Sequence, residues 1–142
     1  MIERERKFKL AYMPKADSTI KIKQGYLMFD GNKHLRVRIV NNEKAYLTFK
    51  TIHTAKERTE YEYEIPMIEA IEMLKSTEIK LEKTRHKTTF EGNVVDIDIY
   101  PNGVGVVEIE YENELLALPD YCGEEITGLE QYSNISIAHE RF

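Results

Sequence analysis

Tryptophan is absent from these 142 residues, cysteine occurs once, and basic side chains are outnumbered by acidic ones. Each shortage excludes something. A lone Cys122 rules out an intrachain disulfide framework or a thiolate metal cluster, and it fits a reduced, cytoplasmic compartment. No apolar run reaches the roughly 18 residues that a membrane helix needs, and the N-terminus lacks the basic and apolar regions of a signal peptide. With 20 Lys and Arg against 25 Asp and Glu, the net charge is −5, which argues against a general nucleic-acid binder. His34, His53, His86 and His139 never fall at a metal-binding spacing such as His-x-x-x-His, and no Gly-rich phosphate loop occurs.

What is abundant is mixed charge, 32% of residues, in a chain that is 42% hydrophobic and long enough for one domain, residues 1–142. The charges recur at period two inside segments that otherwise read as strands. Such segments run from Ile2 to Leu10, Ile20 to Phe29, His34 to Val40, Ala45 to Thr51, Arg58 to Ile65, Ile79 to Lys87, Asn93 to Tyr100 and Val104 to Tyr111. Gly25 reads as a bend or bulge. Asp30-Gly31-Asn32, Asn41-Asn42, Glu91-Gly92-Asn93 and Pro101-Asn102-Gly103 supply the turns.

After Pro66, the spacing of Ile68, Ile71, Met73 and Leu74 among Glu69, Glu72 and Lys75 predicts an amphipathic helix ending near Ser76. Glu112 to Leu118 reads as a short helix stopped by Pro119, and Leu129 to Ala138 as helical or irregular. Eight strands at hairpin spacing imply a β-dominated fold: an eight-stranded antiparallel β-barrel with one main helix and short C-terminal helical segments outside. Periodicity leaves open whether the charged faces point outward, over an ordinary core, or into a tunnel.

Side chains on a strand alternate between faces, so Glu3, Glu5 and Lys7 share one face of the first strand while Arg4, Arg6 and Phe8 take the other. Arg36 and Arg38 share a face, as do Lys83 and Arg85, and Lys50 lies on a neighbouring strand. Glu60, Glu62, Glu64, Asp96, Asp98, Glu108 and Glu110 form an acidic set. Arg-x-Arg presents two planar forks that grip phosphate oxygens, and Lys adds a point charge. Paired carboxylates are the hard oxygen donors that Mg²⁺ or Mn²⁺ takes, with water and phosphate completing the shell. Each group alone is also explained by cross-strand ion pairing on an exposed sheet. Their conjunction on one barrel favours a site.

The ordered series Glu3-x-Glu5-x-Lys7, Gln24-Gly25-Tyr26-Leu27, Leu35-Arg36-Val37-Arg38, Leu47-Thr48-Phe49-Lys50, Arg58-Thr59-Glu60-Tyr61-Glu62, Glu82-Lys83-Thr84-Arg85, Asp96-Ile97-Asp98, Val107-Glu108-Ile109-Glu110-Tyr111 and Gly123-Glu124-Glu125-Ile126-Thr127 resembles the CYTH domain, or triphosphate tunnel metalloenzyme, family. The resemblance implies a tunnel with charged side chains pointing inward that binds a triphosphate and cleaves or rearranges it with a divalent metal, Mg²⁺ or Mn²⁺. By matching motif it implies metal ligation by Glu3, Glu5 and Glu110. It implies phosphate binding by Lys7, Arg36, Arg38, Lys50, Lys83 and Arg85, and supporting roles for Glu60 and Glu62. Glu5, Lys50, Lys83, Arg85, Asp98 and Glu108 become the candidates for catalysis, and Tyr26 is placed near a tunnel mouth.

The resemblance extends to Tyr132-Ser133-Asn134, but the chain departs from the family in lacking the basic residues common around that segment, which here reads Gln131-Tyr132-Ser133-Asn134-Ile135. The expected function is metal-dependent hydrolysis of a triphosphate, foremost inorganic tripolyphosphate to pyrophosphate and phosphate. Alternatives are a thiamine triphosphatase, a nucleoside triphosphatase, an adenylate cyclase, or a polyphosphate-binding module without turnover. The expected partner is a small-molecule triphosphate or polyphosphate rather than nucleic acid or membrane, with oligomeric state left open.

Overall fold

The computed structural model describes residues 2–133. Its strands are β1 (Ile2–Leu10), β2 (Ser18–Asp30), β3 (Lys33–Val40), β4 (Lys44–Ile52), β5 (Glu57–Ile65), β6 (Ile79–Phe90), β7 (Asn93–Ile99), β8 (Gly105–Glu110) and β9 (Cys122–Glu125), with helix α1 (Met67–Ser76) between β5 and β6. Every pairing is antiparallel, and the neighbours run β1-β5-β4-β3-β2-β6-β7-β8 and back to β1. Eight strands therefore close into a barrel, as the hairpin spacing predicts. Closure rests on β1, whose one edge holds β8 and whose other edge is divided: Ile2 to Arg4 pair with β5, whereas Phe8 and Leu10 pair with β9.

The turns follow backbone chemistry. Glu91 and Gly92 both adopt positive φ (50° and 81°), the requirement of a two-residue hairpin turn whose twist matches its strands. Asn41 and Asn42 do the same at 53° and 55°, a region that asparagine tolerates better than most residues. Gly25 is not the bulge: the register shift in β2 falls between Tyr26 and Met28. Gly25 instead admits the end of α1, since a Cβ there would run into the Thr77 hydroxyl and the Leu74 side chain.

The apolar faces point outward and are covered in two places. Val37, Ile39 and Ala45 lie beneath α1, packed against Ala70, Met67, Met73 and Leu74. Phe8, Val95, Ile97, Val107 and Ile109 lie beneath the 111–126 segment, which contributes Leu115, Tyr121 and Cys122. Burying a side chain of this size contributes roughly 1.5–3 kcal/mol. A third cluster, Leu81, Tyr100, Val106 and Ile126, sits on the inward-facing register and fills part of one end of the barrel.

One expected helix is corrected. Glu112 to Leu118 is irregular, because the segment docks one side chain, Leu115, while Leu116 is 84% exposed, and seven residues without an apolar stripe do not nucleate a helix. Near the C-terminus only a single 3₁₀ turn, Glu130–Tyr132, is described. Asn134, Ile135, His139 and the rest of the segment running to Ala138 lie outside the described residues. Tyr61 and Tyr63 are 51% and 63% exposed because nothing described covers the outer face of β5. Among the described residues no helix is long and apolar enough to cross a membrane.

Candidate functional site in the barrel interior

The register that sends Val37 and Ile97 outward sends their charged neighbours inward. A cavity of about 450 Å³ fills the barrel interior, and its lining divides by strand. From β4, β3 and β6 come Lys50, Arg36, Arg38, Arg85 and Lys87, with Ile20 and Ile22 of β2 between them. From β7, β8, β1 and β5 come Asp96, Glu108, Glu110, Glu3, Glu5, Glu60 and Glu62. In ring order these are two continuous arcs, one basic and one acidic, and the acidic arc also holds two cations, Lys7 and Arg58. A second cavity of about 290 Å³ adjoins the first across Glu5, Lys7, Lys50 and Arg58, which line both. Tyr26, His34, Ile52 and Leu129 line its far side, where the Tyr26 and His34 rings meet edge to face at 6.2 Å.

The basic arc is held by neutral groups. Gln24, fully buried, accepts a hydrogen bond from Arg38 Nε (2.9 Å) and donates to the Tyr26 hydroxyl (2.9 Å). Arg36 is 7% exposed, and its buried Nε has no hydrogen-bond partner. Burial, followed by the charges of Lys7, Arg58 and Arg36, draws the Lys50 ammonium down to about 8. Buried, crowded cations without full compensation are costly unless an anion joins them. The arc is complementary to a polyanion.

Arg85 joins the two arcs. Its Nε and Nη2 donate to the two oxygens of Asp98 (2.8 and 2.9 Å), and the guanidinium lies 3.4 Å from Asp96 and 3.7 Å from Glu108. Lys83 donates to the same Asp98 at 2.8 Å. Burial resists ionisation of Asp98, but Lys83 and Arg85 prevail and hold its carboxyl below the ordinary range. Glu108 behaves likewise: burial opposes ionisation, and Lys7, Arg85 and Lys83 keep it well below the usual value. Lys83 and Asp98 are 3% and 0% exposed and do not line the cavity, so of the expected phosphate and catalytic residues these two stand behind Arg85.

On the acidic arc, Glu5 faces Glu110 across the β1–β8 ladder. Burial, followed by repulsion from Glu60, raises the Glu3 carboxyl to about 7. Burial also raises Glu110, with Asp96 and Glu5 adding to the shift. Glu3, Glu5 and Glu110 thus share one cavity wall, although no three such groups converge as a ready metal cluster among the described residues. Arg58 stands among these carboxylates. Its Nη2 donates to Glu5 Oε2 at 2.7 Å, its Nη1 bonds the other Glu5 oxygen, and its Nε lies 3.2 Å from Glu60 and 3.5 Å from Glu3.

Two residues that line the cavity, Arg58 and Lys87, and one that hydrogen-bonds Arg38, Gln24, carry no role in the sequence reading. Arg58 stands two residues before Glu60, and Lys87 two residues after Arg85, so the period-two rule puts them on the same strand face as those neighbours. Gln24 carries no charge and gave no such signal.

The CYTH domain description matches residues 1–139. The chain belongs to the CYTH domain family. Among its relatives, an inorganic triphosphatase of Acetivibrio thermocellus is 42% identical over 81% of this chain and 78% of its own length. The crystal structure of the inorganic triphosphatase NE1496 is similar at a TM-score of 0.70 and 28% identity, covering 96% of this chain and 93% of that one. A conserved hypothetical protein from Pyrococcus furiosus follows at a TM-score of 0.66 and 25% identity, with 79% and 80% covered. The inward-facing charges described above are therefore the interior of a CYTH barrel.

Proposed function

We propose that this protein, acting as a single domain, hydrolyses inorganic tripolyphosphate to pyrophosphate and phosphate inside the barrel, with a divalent cation, Mg²⁺ or Mn²⁺, on the acidic arc. The observation that carries the reading is the division of one cavity wall into a basic and an acidic arc. A triphosphate between them meets Arg36, Arg38, Lys50 and Arg85 on one side and carboxylates on the other. Two relatives named as inorganic triphosphatases support the same substrate.

The donor chemistry of the acidic arc fits a hard cation, since Glu3, Glu5 and Glu110 offer only carboxylate oxygens. Those three would hold it, and it would supply neutralisation of phosphate charge and polarisation of the phosphorus. The chain's own residues do the rest. Arg36 and Arg38 clamp phosphate oxygens with planar forks, Arg36 through an Nε that has no other partner. Lys7 and Lys50, shared by the two cavities, border the phosphates at the junction. Water attacks a terminal phosphorus, the bridging P–O bond breaks, pyrophosphate leaves, and the charge spread over the equatorial oxygens is balanced by the preorganised basic arc. Asp98 and Lys83 position Arg85, and Glu60 and Glu62 complete the acidic wall.

The test is orthophosphate release from tripolyphosphate, ATP, thiamine triphosphate and pyrophosphate, each with Mg²⁺, Mn²⁺ or chelator, comparing the wild type with Glu5→Gln. Metal-dependent release from tripolyphosphate that the variant loses is expected. No release from any of the four would sink the reading.

A further inference from the structure

Arg58 is a cation among the carboxylates of the acidic arc, and it contacts three of them at once. Its two terminal nitrogens bond both oxygens of Glu5, and its Nε faces Glu60 and Glu3. Arg58 and Glu5 are 9% and 5% exposed, so the fork is nearly desolvated. A carboxylate that accepts a guanidinium at both oxygens has its charge balanced and one lone pair on each oxygen taken, which makes it a weaker ligand for a second cation. Like charges gathered on neighbouring strands need something between them, and in this structure that something is the guanidinium.

We infer that Arg58 is a built-in competitor for the cation site: it occupies the carboxylates of Glu5, Glu3 and Glu60, and a divalent cation binds there only when the guanidinium lets go of Glu5. This rests on the proposed triphosphatase reading and deepens it. Arg58 lines the wall of both cavities, so a fork released from Glu5 still lies where phosphate oxygens supply new acceptors. A bare cation must displace Arg58 with nothing offered in return. A cation arriving with a polyphosphate brings the replacement acceptors along. Metal capture is thereby tied to the presence of the anionic substrate, and Arg58 is a positioning residue that acts through Glu5.

The direction of the expected effect separates this role from simple support of the fold. Deleting a buried ion-pair partner ordinarily weakens whatever the site does, whereas removing a competitor strengthens metal binding. The probe is Mn²⁺ alone, titrated at pH 8 without phosphate and followed by the electron paramagnetic resonance signal of the free ion. Arg58→Gln is expected to bind Mn²⁺ at least tenfold more tightly than the wild type. Equal or weaker binding by a variant whose circular dichroism shows it folded overturns the inference. Should that variant fail to fold, nitrogen-15 resonances of the Arg58 guanidinium in the wild type decide the matter. Saturating Mg²⁺ is expected to shift them and speed their proton exchange as the Glu5 contact is lost, and unchanged resonances at saturation overturn the inference. Failure to hydrolyse any triphosphate would remove the enzymatic reading and leave both measurements interpretable.

Discussion

The Lys83 ammonium lies 2.8 Å from the Asp98 carboxylate, and both side chains are wholly removed from solvent. Arg85 takes both oxygens of the same carboxylate. One buried anion therefore answers two cations, and the trio fixes the angle at which Arg85 enters the cavity.

Removing that anion should be severe. Asp98→Ala leaves two buried cations facing one another and is expected to cost about 3–5 kcal/mol in urea unfolding. The Lys83→Met, Asp98→Ala double variant should cost less than the sum of the single changes, giving a coupling of at least about 1 kcal/mol. Strict additivity in that cycle would mean that the pair does not act as a unit.

Lys50 gives a pH signature. Its ammonium is drawn down to about 8 by burial first, then by Lys7, Arg58 and Arg36, from an ordinary value of 10.5. Between those values the unfolded chain carries a proton at this position that the folded chain does not, so the contribution of Lys50 to stability rises with pH across that window and is lost as pH falls through about 8. A polyanion in the cavity favours the charged form. Tripolyphosphate binding at pH 9 should take up a proton, read by calorimetry in buffers of different ionisation enthalpy, and Lys50→Arg should abolish the uptake. Buffer-independent heats for the wild type would refute this.

Gln24 should matter more than its lack of charge suggests. Gln24→Leu deprives Arg38 of its Nε acceptor and Tyr26 of its donor, both in buried surroundings, with an expected loss of about 1–3 kcal/mol. In steady-state assays KM for tripolyphosphate should rise while Gln24→Glu, which retains an acceptor, recovers part of the affinity. An unchanged KM in Gln24→Leu would show that Arg38 holds its position unaided.

At Gly25 the expected defect is purely one of packing. Gly25→Ala pushes a methyl group against Leu74 and the Thr77 hydroxyl at the end of α1 and should cost about 1–3 kcal/mol without altering the ion pairs of the interior. Thermal unfolding measures the loss. A neutral result would mean that α1 shifts without consequence.

The parity of the strands is readable without coordinates, because Glu3, Arg36, Lys50, Glu60, Arg85 and Glu108 sit on alternating positions and arrive together inside. Parity alone is symmetric between inward and outward. What breaks the symmetry is tertiary: α1 and the 111–126 segment cover Val37 and Ile97 from outside, which forces the charges in. The division into arcs depends on ring order, in which β2 lies beside β6 and β1 beside β5, and pairings between distant strands leave no mark in local pattern. Arg58 was legible by position and obscure by role, since its partners Glu5 and Glu3 are on a strand more than fifty residues away. The irregular 112–118 segment has the opposite origin: its weak local helix signal yields where only one side chain, Leu115, is even partly buried against the core.

The divided edge of β1 bears on how the barrel assembles. β1 is the first strand in chain order, yet its neighbours are β8, β9 and the start of β5, so Lys7 finds Glu108 only after a loop of about a hundred residues has closed. Hairpins β2–β3, β3–β4, β4–β5, β6–β7 and β7–β8 form from local contacts, and the curved sheet that they and the β2–β6 pairing make is an open ribbon from β5 to β8 until β1 is inserted between its two ends. The ring thus has a late, non-local step of the kind that slows folding, and during that interval the carboxylates and ammonium of β1 stand in water instead of at the centre of the molecule.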